Sequence, residues 1–178
     1  MIKDYFSFIF FLVTIKSRIN CTTTMNPHEE KIKKYIKENQ IKAEHISFQQ
    51  SCHSVEDAAK AANASAEDFV KNICMINSEG NLIVAIVKGE DKVSTTKVGT
   101  ILNTPRPRMA TPAEILEKTG YPCGGTPSFS YTAIFLIDSR VMEKETVYSG
   151  GGSENSLVKI STKELQRVNK GKIVDIRK

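Results

Sequence analysis

Apolar and polar residues recur along the chain with two different periods, and each period predicts one kind of element. Residues 28–38 place apolar side chains at three- and four-residue spacing, which is typical of a short amphipathic helix. Residues 71–77 (KNICMIN) and 82–89 (LIVAIVKG) are compact apolar runs rich in β-branched residues, as expected of buried strands. The sequence NSEGN between the two runs predicts a hairpin turn.

Helix start and stop signals place further helices. Ser54 precedes acidic residues in a first turn, and Asn63 ends that apolar pattern. Thr111 is followed by Pro112 and by a glutamate at the third helical position, and Gly120 occupies the usual stop position. The predicted helices are residues 28–38, 54–63, 93–102, 111–120 and 162–168. The predicted strands are residues 44–48, 71–77, 82–89, 131–138, 146–150 and 157–161.

Strands and helices alternate irregularly, with hairpins among them and without an internal repeat. A chain of 178 residues has the length of one ordinary domain, and 40% hydrophobic and 25% charged residues are proportions of a soluble globular protein. The pattern therefore predicts a single domain of the mixed α/β (α+β) class.

Basic residues outnumber acidic ones, which gives a net charge of +5 and favours an anionic partner. Much of the excess lies in residues 31–37 and 170–178. Charge alone is equally compatible with a solvated basic face, so it does not decide whether the partner is a nucleic acid.

Four cysteines are scattered singly along the chain, at Cys21, Cys52, Cys74 and Cys123. Their spacing contains neither a zinc site nor a redox motif, so the prediction is a reducing, intracellular compartment and no metal. Cys123 adjoins no histidine or basic residue that would activate it, and a packing role is predicted for this thiol.

Residues 6–15 (FSFIFFLVTI) form an apolar run of the length found in signal peptides and too short for a membrane helix. No cleavage signature follows, and Met25 offers a second start just before the first predicted helix. Two interpretations stay open: residues 1–24 are an extension from an upstream start codon, or they are a targeting or anchoring segment. Without residues 1–24 the net charge falls from +5 to +3.

Two glycine-rich turns adjoin predicted strands, at residues 124–127 (GGTP) and 150–153 (GGGS). Neither has the spacing of a phosphate-binding loop or of a dinucleotide-binding fold. Glycine lets a backbone approach a ligand closely, and proline fixes the dihedral angles beside it. Such turns can cradle a carboxyl ester and its developing oxyanion, or they can be ordinary tight turns.

Five segments of the chain, in order and with ordinary gaps, resemble one protein family. The segments are residues 54–75 (SVEDAAKAANASAEDFVKNICM), 84–98 (VAIVKGEDKVSTTKV), 109–129 (MATPAEILEKTGYPCGGTPSF), 133–138 (AIFLID) and 147–165 (VYSGGGSENSLVKISTKEL). Over about residues 44–168 the chain is similar to the YbaK-type aminoacyl-tRNA deacylases, relatives of the editing domain inserted in bacterial prolyl-tRNA synthetases. The resemblance implies a mixed, curved, multi-stranded sheet flanked by short helices within residues 25–178.

The same resemblance implies a stand-alone hydrolase that removes a wrong small amino acid, alanine or cysteine, from proline tRNA. Lys71 occupies the position of the family's hallmark lysine and Gly124 begins its glycine loop, so both are implied as catalytic. The implied substrate-binding residues are Gly125, Thr126, Pro127, Ser128, Ser149, Gly150 and Gly151. No metal and no organic cofactor are implied.

The chain departs from the family pattern at both turns. Pro127 comes one residue early in the first loop, and Ser130 replaces its final glycine. An aspartate that some members carry after the second turn is missing, since Asn155 and Ser156 occupy that region. Asp138 fits the family's aspartate at a strand end, for which a structural role is expected.

No Ser-His-Asp or Cys-His arrangement is visible, since all three histidines precede the glycine turns. The sequence therefore favours attack by a positioned water, with loop N–H groups holding the oxyanion. Lys71 would hold a phosphate, the ribose or the developing charge. A pocket walled by glycines and Pro127 would admit only a small side chain.

Mischarged tRNA is the implied partner, held mainly through its phosphates, with Lys88, Lys92 and Lys97 as predicted contacts. A transient contact with prolyl-tRNA synthetase, a cytoplasmic location and no membrane association are also implied. Two alternatives stay open. One is a non-catalytic module of the same fold that binds a tRNA end or an aminoacyl group, and the other is a secreted or anchored domain.

Overall fold

The computed structural model describes residues 26–50, 52 and 54–178. The predicted extension at residues 1–24 lies outside the described residues, as does His53. The described helices are Pro27–Glu38 (α1), Val55–Ala62 (α2), Thr95–Leu102 (α3), Pro112–Thr119 (α4) and Thr162–Asn169 (α5). The described strands are Ala43–Ser47 (β1), Val70–Ile76 (β2), Leu82–Lys88 (β3), Arg108–Met109 (β4), Ile134–Asp138 (β5), Thr146–Gly150 (β6), Ser156–Ser161 (β7) and Lys172–Val174 (β8).

The described strands form two sheets. The first is antiparallel and three-stranded, in the order β1-β7-β6, and the second has five strands in the order β4-β2-β3-β5-β8. In the second sheet β2 runs antiparallel to β3 and β4, whereas the pairs β3 and β5, and β5 and β8, are parallel. An isolated bridge between Phe69 and Tyr148 connects the sheets. The predicted mixed α/β single domain is confirmed, and its strands divide between two sheets rather than forming one.

All five predicted helices are present. Each begins after a residue whose side chain accepts a hydrogen bond from a backbone N–H of the first turn. At Thr111 the capping box is complete, because the Glu114 carboxylate accepts from the Thr111 N–H at 2.9 Å. Asn63 and Gly120 end their helices in the left-handed conformation, as predicted. No helix in the described part of the chain is long and apolar enough to cross a membrane.

Within the described residues, three apolar clusters hold the elements together. The largest joins α1 and α5 to both sheets. A second lies between α3 and one face of the five-stranded sheet, where Val98 packs with Met75. A third lies under α2 and contains Phe69 and Tyr148, whose rings stack with centroids 4.9 Å apart. The stacked rings bring α2 close to β2 and β6, where the candidate site lies.

Asp138 organises the end of the five-stranded sheet. It is fully buried at the end of β5 and accepts hydrogen bonds from the N–H groups of Ile176 and Arg140, each at 3.0 Å. Arg177 forms an ion pair with it at 3.2 Å. These contacts tie the chain after β8 to β5, in agreement with the structural role expected for Asp138.

Candidate active site

A cleft of about 220 Å³ opens beside β2, between α2, the end of β6 and the loop after α4. It gathers five of the residues for which the sequence predicts a catalytic or substrate-binding role. These are Lys71, Gly124, Thr126, Ser149 and Gly150. Residues of three elements that are distant in sequence thus meet at one place.

The other predicted site residues lie behind the cleft wall: Gly125, Pro127, Ser128 and Gly151. The Gly125 N–H donates to the Pro122 carbonyl at 3.1 Å, and the Gly151 N–H donates to the Ser156 carbonyl at 3.0 Å. The N–H groups of these two glycines are therefore bonded within the protein and are not available to a ligand. Both residues support the cleft wall without lining it.

The two glycine turns pack backbone against backbone. A Cβ atom on Gly125 would lie 2.7 Å from the Ser153 nitrogen, and one on Gly150 would overlap the Thr126 carbonyl oxygen. The Gly152 N–H donates to the Gly125 carbonyl at 2.8 Å. Glycine is required at positions 125 and 150 because a side chain there would push the turns apart.

A buried polar network fixes both turns to β2. Asn72 donates through Nδ2 to the Thr126 carbonyl (2.8 Å) and to the Ser149 hydroxyl (3.2 Å), and its Oδ1 accepts from the Ser128 hydroxyl (2.7 Å). The two serine hydroxyls are 2.6 Å apart. Asn72 is not among the site residues predicted from the sequence. Strands disfavour asparagine, so an asparagine inside an apolar strand could have indicated a functional or structural polar contact. The Ser149 hydroxyl, predicted to hold substrate, is engaged by the protein itself.

Lys71 stands half-buried on the cleft wall beside Asn72. Its ammonium group makes no hydrogen bond or ion pair with another described residue, unlike those of Lys88 and Lys144, which lie against carboxylates. The Lys71 ammonium is therefore available to an anionic group or a carbonyl oxygen of a ligand.

The loop after α4 adds backbone donors. Gly124 and Thr126 line the cleft, and their N–H groups make no hydrogen bond to another described residue. Donors of this kind stabilise negative charge on a carbonyl oxygen during acyl transfer. The combination of a lysine with two available N–H groups suits chemistry at an ester carbonyl.

The cleft also contains thiols, but not in a nucleophilic arrangement. Burial raises the pKa of Cys74 to about 12, and the nearby Cys123 adds to this rise, so Cys74 is a neutral thiol at neutral pH. Cys123 is exposed, so the prediction of a packing role for it is wrong. His28 and His45 do not line the cleft. The His28 ring bonds to the Gly120 carbonyl at 2.9 Å, and the His45 ring bonds to the Gly151 carbonyl at 2.8 Å. Within residues 26–50, 52 and 54–178 no thiol and imidazole form a catalytic pair at this site.

The lysines predicted to contact tRNA do not border the cleft. Lys88 is only 5% exposed and lies 3.9 Å from Glu143, so the prediction that it binds phosphate is wrong. Lys97 lies on α3 and pairs with Asp175 at 3.3 Å, and Lys92 lies beside them. Lys92 and Lys97 line a separate cavity with Arg177, and neither of them lines the cleft.

Residues 49–168 match the family model of the aminoacyl-tRNA editing domain. The chain belongs to this family. The matched range contains both glycine turns and Lys71, so the resemblance inferred from the sequence is confirmed. An uncharacterised Bacillus subtilis (strain 168) protein, YwhH, is 27% identical to the editing domain over 128 residues, which are 71% of this chain and 81% of that protein.

Solved structures share the fold of this editing domain. The hypothetical protein APE2540 is 25% identical with a TM-score of 0.76, and the match covers 83% of this chain and 99% of that one. A candidate trans-editing enzyme for prolyl tRNA synthetase is 22% identical with a TM-score of 0.77, and the match covers 85% of this chain and 98% of that one. Both likenesses agree with the mixed α/β architecture.

Proposed function

We propose that this editing domain is a stand-alone trans-editing deacylase, a hydrolase that cleaves the ester of mischarged tRNA carrying a small amino acid. Alanyl- and cysteinyl-tRNA for proline are the proposed substrates. The observation that carries the proposal is the cleft in which the Lys71 ammonium and the N–H groups of Gly124 and Thr126, all without a partner among the described residues, come together.

The proposed reaction uses water as the nucleophile. Water adds to the ester carbonyl carbon, and the N–H groups of Gly124 and Thr126 donate to the oxyanion that forms. Lys71 stabilises this charge or holds the adjacent phosphate. The bond between the carbonyl carbon and the ribose oxygen then breaks, and the proton released by the water passes to that oxygen. An aminoacyl ester is already activated, so positioning supplies most of the acceleration.

The shape of the cleft supports a small amino acid. Its volume of about 220 Å³ has to hold the aminoacyl group, and one wall is the Gly150 backbone pressed against Thr126. A hydrophobic pocket in a synthetase distinguishes side chains that differ by one methylene by only about 1–3 kcal/mol. A second site that excludes the larger, correct residue therefore raises the accuracy of charging.

The proposal extends to the rest of the chain. Residues 25–178 form the editing domain and residues 1–24 are an extension that the reaction does not need. The substrate places the protein in the cytoplasm, with no more than a transient contact with prolyl-tRNA synthetase.

Deacylation of alanyl-, cysteinyl- and seryl-tRNA by the full chain and by its Lys71→Ala variant tests the proposal. We expect the parent to hydrolyse at least one of these esters and the variant to be about 100-fold slower, since removal of one oxyanion-stabilising group costs about 10²–10³ in rate. Residues 25–178 alone should match the full chain.

The matched control is Lys97→Ala, outside the cleft in an ion pair with Asp175, which should keep the parent rate. Parental turnover by Lys71→Ala would remove Lys71 from the mechanism. Tight tRNA binding by the parent without turnover of any ester would instead identify a non-catalytic binding module with the same fold.

A further inference from the structure

The cleft follows the edge of β2 rather than one of its faces. Its wall includes six consecutive residues, from Phe69 to Cys74. Successive side chains of a strand point to opposite faces of the sheet, so a cavity on one face would touch every second residue. Contact with all six means that the backbone of β2 itself forms part of the wall.

Only a short part of this edge is covered by another strand. β3 pairs with β2 along its whole length on one side, whereas β4 pairs with Met75 and Ile76 alone on the other. Between the bridge of Phe69 to Tyr148 of β6 and the hydrogen bond of Cys74 to Ala110, the edge at residues 71–73 therefore faces the cleft instead of a neighbouring strand.

Two hydrogen bonds show which backbone groups point toward the cleft. The Gly89 N–H, at the end of β3, donates to the Phe69 carbonyl at 2.8 Å, so Phe69 directs its carbonyl toward β3. The Ala110 N–H, beside β4, donates to the Cys74 carbonyl at 3.0 Å, so Cys74 directs its carbonyl away from β3. Because backbone groups alternate along a strand, Asn72 points its N–H and its carbonyl to the same side as Cys74.

These two groups of Asn72 are available to a ligand. Among the described residues, the N–H has no hydrogen-bond partner, and the carbonyl meets only the Cys74 thiol at 4.0 Å. The Asn72 side chain is locked by its bonds to Thr126, Ser128 and Ser149, which hold the backbone in place. A fixed N–H and carbonyl on one side of one residue form the hydrogen-bonding unit of an antiparallel ladder.

We propose that the Asn72 backbone binds the aminoacyl group of the substrate as a neighbouring strand residue would. The Asn72 carbonyl accepts a hydrogen bond from the α-ammonium group, and the Asn72 N–H donates to the ester carbonyl. The cleft then selects α-amino acyl esters with a free amino group over other esters of tRNA. This inference rests on the proposed function, because it specifies how the same site recognises its substrate.

The first test compares three esters of one tRNA: alanyl-tRNA, propionyl-tRNA, which lacks the amino group, and N-acetylalanyl-tRNA, in which it is blocked. Each enzymatic rate is divided by the rate of hydrolysis without enzyme, because the ammonium group also activates the ester. We expect the corrected kcat/KM for alanyl-tRNA to exceed the other two by about 10- to 100-fold, the usual effect of a hydrogen bond to a charged group. Equal corrected values would overturn the inference while leaving the deacylase activity established.

The second test does not depend on turnover. Alanyl-adenosine in which an amide replaces the ester is added to ¹⁵N-labelled full-length protein, and the backbone amide resonances are followed by NMR. We expect the Asn72 amide to shift with the alanyl compound and to shift less with its propionyl counterpart. An Asn72 amide that stays unchanged at saturation would overturn the inference. If the analogue binds through Asn72 but no ester is hydrolysed, the recognition stands and the proposed catalytic function fails.

Discussion

At the scale of single residues, Ser130 occupies a backbone conformation that favours glycine. Its φ is +80°, in the left-handed region, at the position where the family resemblance expects a glycine. This region costs about 1–2 kcal/mol for a residue with a Cβ atom. The Ser130 hydroxyl lies 2.7 Å from the Tyr121 hydroxyl, and such a hydrogen bond contributes about 1 kcal/mol. The bond therefore offsets much of the strain.

Two substitutions separate these contributions. Ser130→Ala removes the hydrogen bond and keeps the strain, whereas Ser130→Gly removes both. We expect the glycine variant to have the larger free energy of unfolding by about 1 kcal/mol, which reverses the ordinary preference for alanine of about 0.5–1 kcal/mol. Urea unfolding of both variants measures the difference. An alanine variant at least as stable as the glycine variant would show that Ser130 is unstrained in solution.

At the scale of elements, α1 and β1 hold the second glycine turn, although both precede the range matched by the family model. Glu29 of α1 accepts hydrogen bonds from the hydroxyls of Ser153 (2.7 Å) and Ser47 (2.6 Å). His45 of β1 bonds through Nε2 to the Gly151 carbonyl at 2.8 Å. The N-terminal elements thus stabilise a wall of the cleft.

The His45 contact makes this support sensitive to acid. Burial lowers the pKa of His45 below its ordinary 6.5, although the bond to Gly151 partly opposes this. The unfolded chain therefore binds the proton first, so the contribution to stability is complete above pH 6.5 and is lost as pH falls through the folded pKa. His45→Gln can keep a donor to Gly151 without titrating. We expect the melting temperature of the variant to fall less than that of the parent between about pH 7 and about pH 5.

If the melting temperatures of the parent and of His45→Gln fell equally with pH, the acid sensitivity would belong to other groups. Glu29 is the nearest candidate. Burial raises the pKa of Glu29, but hydrogen bonds from Ser47 and Ser153 and the nearby His45 and Lys33 outweigh it, and the net pKa is lowered. Its contribution would be lost at lower pH than that of His45, as the pH falls through its folded pKa.

The helices and most strands were predictable because their signals are local. A cap such as Thr111 or an apolar run such as Leu82–Lys88 acts within a few residues. β4 and β8 have two and three residues, and their pairing depends on distant contacts, such as that of Asp138 with Ile176. The division into two sheets depends on register between remote strands, which no local pattern specifies.

The place of the candidate site was predictable from the sequence, and the arrangement of its residues was not. Lys71 and Gly124 follow from the family resemblance, and the cleft contains both. The placement of Gly125 and Ser128 behind the wall depends on how the two turns pack against each other. The part played by Asn72 depends on the free edge of β2, which becomes visible only when the strand order is known.

At the scale of the whole molecule, basic side chains lie on two separate surfaces. Lys97 of α3 pairs with Asp175 and lines a cavity that shares no residue with the cleft. Lys159 of β7 lies on the cleft side, with its Nζ 5.7 Å from the ring centre of Tyr148, which lines the cleft. No described acidic residue forms an ion pair with Lys159.

These positions predict which lysine meets the phosphates of tRNA. Lys159→Ala should weaken the binding of uncharged proline tRNA and reduce the slope of log affinity against log salt concentration by about one, because each phosphate contact releases about one counterion. Lys97→Ala is the matched control and should change neither quantity. Fluorescence anisotropy over a series of salt concentrations measures both. If Lys97→Ala produced the loss instead, tRNA would lie across α3, and the assignment of the phosphate contact to Lys159 would be wrong.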